Sequence, residues 1–387
     1  MNSSWSRSEN EVLATLQDVV AIESINPDLP GGQQGENEMA NYTENFFKDL
    51  DIPCQRQKVL PNRSNVIATL AGQQTDRILL FECHMDTASA EIMTIPPFEP
   101  HISNGLLYGR GACDTKAGGV AMMMAIKALK QAGITPPSTI QYAGVVDEEY
   151  LFRGALALAK NTNATAVVVS EPTDLAVVRS HKGLARFRIL VKGTAAHSSK
   201  PHLGVNAVTK MARLILAIED EIIPTYEAEL HPLVGCPTLN IGVISGGAQV
   251  NFVPDQCVIE IDRRTIPGET PEETLQPFRQ LIERLKDQDP ELEVELEKPF
   301  LLDSAMETDT EAEIVQVSRQ ACRTVLGQPT VTGVPYGTDA SKFTTLGIPA
   351  IVLGPGSIDQ AHAAVEWVDC NQVIQAVEIY KQTMLNF

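Results

Sequence analysis

The 387-residue chain is 43% hydrophobic and 20% charged, enough apolar material for two domains and too much for a disordered segment. Its 49 acidic residues outnumber 30 lysines and arginines, giving a formal net charge of -19, so it would repel a phosphate backbone and nucleic acid is not an expected partner. No apolar run reaches the roughly 18 residues that span a membrane, and no apolar leader follows "MNSSWSRSEN". The seven cysteines are dispersed with no C-x-x-C pair, which predicts reduced thiols in a cytoplasm; Cys83 and Cys113 read as small buried residues rather than ligands.

Residues 10–50 carry helical periodicity, and from about 57 the pattern alternates between β-rich and helical runs. "DRILLFECHMD" reads as a strand, "GGVAMMMAIKALKQAG" as a buried helix, "STIQYAGVVDEE" as a strand, "GALALAKN" as a helix and "NATAVVVSEPT" as a strand. That order predicts a largely parallel sheet flanked by helices. After residue 180 the order becomes strand, helix, two strands, helix, strand, from "ARFRILVKGTAAH" to "ELEVELEKP". This is the order of a small α+β domain of split βαβ, ferredoxin-like type. From about 300 the helix "EAEIVQVSRQACRTVLG" and strand "IPAIVLGPG" resume the α/β style. The expected architecture is an α/β domain over 1–180 and 298–387, interrupted by an inserted α+β domain over 181–297.

Ligands of open α/β sheets gather beyond the carboxyl ends of the strands, and the polar residues fall there repeatedly. His84 and Asp86 end one strand, Glu148 and Glu149 another, Glu171 follows a third, His362 follows "AIVLGPG", and Asp114 sits in the glycine-rich "YGRGACDTKAGG". His84-x-Asp86 suits a metal-bound imidazole, an aspartate steadying a ligand histidine, or a hydrogen-bonded core pair. "GRGACD" has Asp114 where a dinucleotide fingerprint needs glycine, and no G-K-S/T follows for a P-loop. Adjacent Glu148 and Glu149 point to opposite sides of extended chain, so one can hold a metal while the other faces a bound water. Glu171 alone would read as a helix cap. Glu366, four residues past His362, is a plausible orienting partner if that segment is helical.

Two histidines and several carboxylates fit a two-metal hydrolase, with zinc favoured and cobalt or manganese possible. No G-x-S-x-G elbow is present, so water activated by metal is the expected nucleophile.

The ordered set "HMDT", "GRGACDTKAG", "DEE", "SEPTD", "GTAAHSSKPHLGVNA", "NFVPDQCVIEIDRRTIPGE", "YGTDASKF" and "AHAAVEWV" covers nearly the whole chain. It resembles the dizinc amidohydrolases that include aminoacylase, glutamate carboxypeptidase, acetylornithine deacetylase and succinyl-diaminopimelate desuccinylase. The resemblance implies that His84 and Glu171 hold one zinc and Glu149 and His362 the other, with Asp114 bridging. Asp86 would orient His84, and Glu148 would be general base and then acid. The inserted domain would be the lid and dimerisation domain of a homodimer. Its His197 would reach across the dimer to the substrate carbonyl. Asn251 and Arg264 would bind polar groups of the substrate, and Thr338 would line the same pocket.

An arginine in that role implies a substrate carboxylate, against the alternative of an ion pair with Asp262 or Glu260. The expected substrate is therefore a small N-acyl amino acid, N-acetylornithine of arginine biosynthesis first. Desuccinylase, aminoacylase and dipeptidase or carboxypeptidase activities are the alternatives on the same site, and an acyl-amino-acid-binding protein without catalysis is the alternative of another class.

Overall fold

The computed structural model describes residues 5–270 and 272–387. Residues 1–4, within the leader reading, and Pro271, which begins the expected helix over 271–287, lie outside the described residues. The chain divides into two compact units: Met1–Arg179 with Thr308–Thr332 and Thr338–Phe387, and Ser180–Glu307 with Gly333–Gly337.

The first unit opens with the helix Arg7–Val20, started by a capping box in which Ser6 and Glu9 satisfy each other's backbone amides. Its buried Val12, Leu13, Leu16, Val19 and Val20 follow helical spacing and form the stripe that packs inward. The central sheet runs in the order Cys54–Leu60, Arg63–Leu70, Ser138–Val145, Gln74–His84, Ala166–Val169, Ala350–Val352, Val177–His181. Its four middle strands, from Ser138–Val145 to Ala350–Val352, pair parallel as the β-α-β order required. The flanking pairs are antiparallel, and the strands Cys54–Leu60 and Arg63–Leu70 were not among the expected elements. Every residue from Ile78 to His84 is buried, the signature of a strand covered on both faces. One core gathers Leu79 and Phe81 with Met122, Ile126 and Tyr380 from the helices Ala117–Gln131 and Cys370–Asn386.

Register decides where the chemistry falls. His84 lies opposite Val145, Glu82 opposite Val169, and Val169 opposite Val352, so the middle strands end together. Residues just past those ends share one edge of the sheet.

In the second unit the strands Gly183–Lys192, Thr238–Gly246, Gln256–Thr265 and Glu293–Leu296 alternate with the helices Ala207–Ala217 and Gln276–Gln288. Numbered by their order within the unit, the strands lie 2-3-1-4 and pair antiparallel throughout, the ferredoxin-like arrangement. Phe187, Ile189 and Ile259 meet Met211, Leu214 and Phe278 in its core. The short strand Leu301–Asp303 also pairs with Gly183–Lys192, so this unit retains the chain to Glu307.

Candidate metal centre

The loop Gly109–Lys116 brings Asp114 to the common edge. Gly111 has φ of 81°, where a side chain would be strained and would press on Thr87. At the start of the following helix, a Cβ on Gly118 would fall 1.6 Å from Ser170 Oγ. Only glycine lets this helix approach the strand end that presents Glu171. Lys116, buried, donates to Val19 O at 3.1 Å and Ile22 O at 2.6 Å, which anchors the loop on the end of the first helix. Burial pushes its ammonium down to about 7.

His84, Asp114 and Glu171 converge, and so do Asp114, Glu149 and His362, with the ligating atoms of each group within 4.8 Å of one another. Asp114 belongs to both. Its Oδ1 lies 3.1 Å from His84 Nε2 and its Oδ2 3.4 Å from His362 Nε2. His84 Nε2 is 3.8 Å from Glu171 Oε1, and His362 Nε2 is 3.0 Å from Glu149 Oε2. His84 Nδ1 lies 2.9 Å from the Asp86 carbonyl, which can only accept, so Nδ1 carries the proton and Nε2 faces the cluster.

The electrostatics are those of a cation site. Burial pushes Glu171 well above the ordinary carboxylate range, and the Asp114 charge adds to the shift. Glu148 is raised for the same first reason; His84 opposes the shift, while Asp339 and Glu149 reinforce it. For Asp114 burial acts upward, but hydrogen bonds from His362 and His84 outweigh it and hold the carboxyl low. His362 is lifted to about 11 by its bonds to Asp114 and Glu149. Glu149 Oε1 is buried without a hydrogen-bond partner among the described residues. An orphaned carboxylate oxygen beside crowded like charges fits a divalent cation, and imidazole with carboxylate fits zinc, cobalt or manganese.

Two expected partnerships differ. The Asp86 carboxylate is 3.8 Å from His84 Nδ1 and instead accepts the amides of Glu148 and Glu149, both at 3.1 Å. Glu366 does not serve His362, because its segment is a short 3-10 turn, Ile358–Gln360, leading into the strand Trp367–Asp369. Glu366 instead receives Arg110 Nη1 at 2.6 Å and the amides of Cys113 and Asp114 at 2.9 and 3.1 Å. It therefore positions the shared aspartate from behind. Glu82 was also passed over, although a carboxylate inside the apolar "ILLFECH" was a visible signal. It is fully buried and pushed well above the carboxylate range by burial and by the charge of Asp339.

The remaining expected residues are placed as follows. His197 and Asn251 are neighbours in the second unit: His197 bridges to Phe252, and the Ser198 amide donates to Asn251 O at 3.0 Å. The Ser199 amide donates to His197 Nδ1, which leaves the proton on the exposed Nε2. Arg264 forms the ion pair weighed against substrate binding, its Nε 2.8 Å from Asp262 Oδ1. Thr338 is fully buried, its hydroxyl accepting the Ala340 amide at 3.2 Å.

Two groups that could hold cations, sharing Asp114 at the strand ends, fit a metal-dependent hydrolase. The family model described as Peptidase family M20/M25/M40 matches residues 80–386, and the chain belongs to that family. Similar proteins include an acetylornithine deacetylase of Myxococcus xanthus, 28% identical over 385 residues with 97% of each chain covered. A probable succinyl-diaminopimelate desuccinylase of Staphylococcus epidermidis is 28% identical over 405 residues, again with 97% of each covered. Among solved structures, the aminopeptidase PepT from Bacillus cereus superposes with a TM-score of 0.80 at 21% identity, covering 98% of both chains. The YXEP protein of Bacillus subtilis, described as a dinuclear metal binding peptidase, gives 0.74 at 16% identity, also over 98% of both. These two likenesses bear on the fold alone. Among the described residues, no helix is long and apolar enough to cross a membrane.

Proposed function

We propose that the chain is a cytoplasmic deacetylase of arginine biosynthesis that hydrolyses N-acetylornithine. The observation that carries the chemistry is Asp114, whose two oxygens each face a different histidine. His84 and Glu171 would hold one zinc, Glu149 and His362 the other, and Asp114 both. When bound, the metals supply Lewis acidity that acidifies water and polarises the amide carbonyl.

The chain's own residues do the rest. Glu148, raised by burial, takes a proton from water and returns it to the leaving amine. Asp86 fixes the backbone of Glu148 and Glu149, so the base stays beside the ligands. In a homodimer the partner subunit's His197 would offer a proton to the carbonyl oxygen as charge develops, a contribution on the order of 3 kcal/mol for a well-placed donor. Asn251 and Thr338 would complete the substrate pocket. Arg264 would receive the substrate carboxylate by exchanging Asp262, which keeps Arg186 at 2.7 Å. The second unit would act as lid and dimerisation domain of a homodimer. The edge strand Thr238–Gly246, which has no strand partner on its outer side among the described residues and exposes Val243 and Ile244, supports that role.

The relative named for acetylornithine favours acetate as the leaving acyl group. The equally identical desuccinylase keeps succinyl-diaminopimelate as the second reading. Zinc-loaded protein should release acetate from N-acetyl-L-ornithine with kcat/KM above about 10⁴ M⁻¹s⁻¹, and a chelated sample should not. Succinate release from N-succinyl-diaminopimelate with no acetate release would replace the first reading by the second.

A further inference from the structure

Asp147, the first acid of "DEE", has no place in the metal centre, yet the surrounding residues converge on it. It is fully buried and lies in the left-handed region at φ 73°. Its Oδ1 accepts from Asn26 Nδ2 at 3.1 Å, Arg63 Nη2 at 3.1 Å and Arg153 Nη2 at 2.7 Å, and its Oδ2 accepts from Arg153 Nε. Arg63 also binds Glu36 through two bonds, and Glu36 Oε1 accepts the Asp147 amide at 3.1 Å, so the ring closes on the turn itself. Asp28 completes it from the rim by pairing with Arg153.

Asn26 joins this ring to the catalytic side. The same Nδ2 that reaches Asp147 lies 2.7 Å from Asp86 Oδ2. Asp86 in turn accepts the amides of Glu148 and Glu149. Asn26 is fully buried, its amide donates to Thr87 O at 3.0 Å, and its Oδ1 accepts the Asp28 amide at 3.0 Å. Its donor is therefore aimed by its own backbone and cannot swing away.

We infer that Asn26 is a positioning residue for the hydrolysis, tying Asp86 to the Asp147–Arg63–Glu36–Arg153 ring so that the Glu148 carboxylate is held at one height above the metal ligands. The inference rests on the reading of Glu148 as the base. Asn26 touches no reacting atom; it acts through Asp86 and the turn 147–149. The two N–H groups of the Asn26 amide serve one carboxylate each, so removing the amide leaves Asp86 and Asp147 facing each other across a gap. The turn is then free to shift by fractions of an ångström, enough to impair proton transfer.

The test compares Asn26→Ala with wild type in kcat, KM and metal content, and repeats the substitution in a Glu148→Gln background. The expected result is a roughly 10–100-fold loss of kcat. KM should stay within about threefold, metal content should be unchanged, and Glu148→Gln should lose nothing further. An unchanged kcat, or an equal loss in both backgrounds, overturns the inference. Should Asn26→Ala fail to fold, Arg153→Ala on the partly exposed rim decides. Its kcat should fall and recover in part with millimolar guanidinium chloride, and wild-type kcat without guanidinium overturns the inference. Substantial turnover by Glu148→Gln alone would instead sink the base reading, whatever Asn26 does.

Discussion

Asp114 and Glu366 are separated by 252 residues, yet the backbone amides of Cys113 and Asp114 both donate to Glu366 Oε1, at 2.9 and 3.1 Å. The other oxygen takes Arg110 at 2.6 Å, and both side chains of this ion pair are at most 1% exposed. The shared aspartate of the metal centre is thus set by a buried charge pair below it.

Glu366→Ala should be costly for stability, because Arg110 would remain as a buried charge with its carboxylate gone. A loss of about 3–5 kcal/mol is expected from urea denaturation. Glu366→Gln, which keeps the acceptor for the two amides, should lose less. Equal stability of both variants and wild type would show that the pair does not hold the loop.

Asp114→Asn removes charge from both cation positions at once. Metal bound after dialysis should fall at both, not at one. The loss of several kcal/mol of electrostatic stabilisation corresponds to a decrease on the order of 10³-fold in kcat/KM. Retention of full metal content would contradict a shared ligand.

Metal loading should release protons. His84 is raised well above its ordinary value, where bonds and charges from Asp114, Glu148 and Glu171 overcome the opposing effect of burial, and His362 is raised to about 11 by Asp114 and Glu149. At neutral pH the His362 imidazole carries a proton that a cation must displace, and the upward shift of His84 acts in the same direction, so affinity should rise with pH. Calorimetric titration of zinc into chelator-treated protein, in buffers of different ionisation enthalpy, measures the release. The sign for stability is opposite. In chelated protein the contribution of the raised His362 is fully present below about 6.5 and is lost as pH rises towards about 11. Thermal midpoints of wild type and His362→Asn should converge over that window.

His197→Ala should leave metal content intact and lower kcat by roughly 10²–10³-fold, the loss of one oxyanion donor. Undiminished turnover would remove His197 from the site.

The centre of the fold and its clustered residues were legible because local signals carried them. Apolar β-rich runs put the strand ends at Asp86, Glu149 and Ser170, within a few residues of the observed ends at His84, Val145 and Val169, so the polar residues that follow them could be picked out. What escaped was nonlocal. Asn26 meets Asp86 across 60 residues and Asp147 across 121, and Arg63 meets Glu36 across 27, spacings with no period to read. Glu366 was paired with His362 on helical spacing, and the left-handed φ of 58° at His362 breaks any such helix. The edge strand Cys54–Leu60 was missed because it carries a polar, half-exposed pattern, and its inner neighbour Arg63–Leu70 was missed with it. Arg264 was legible in both of its readings, and its bond to Asp262 selects neither until substrate competes.

Glu148 would move the proton beside two metals that it does not hold. Glu148→Gln preserves size and the backbone bond to Asp86 while removing the base. Loaded with zinc and assayed for acetate release from N-acetyl-L-ornithine, it should carry the wild-type metal content and lose at least about 10²-fold in kcat. Wild-type turnover by that variant, or a loss that simply follows missing metal, would show that Glu148 is not the base.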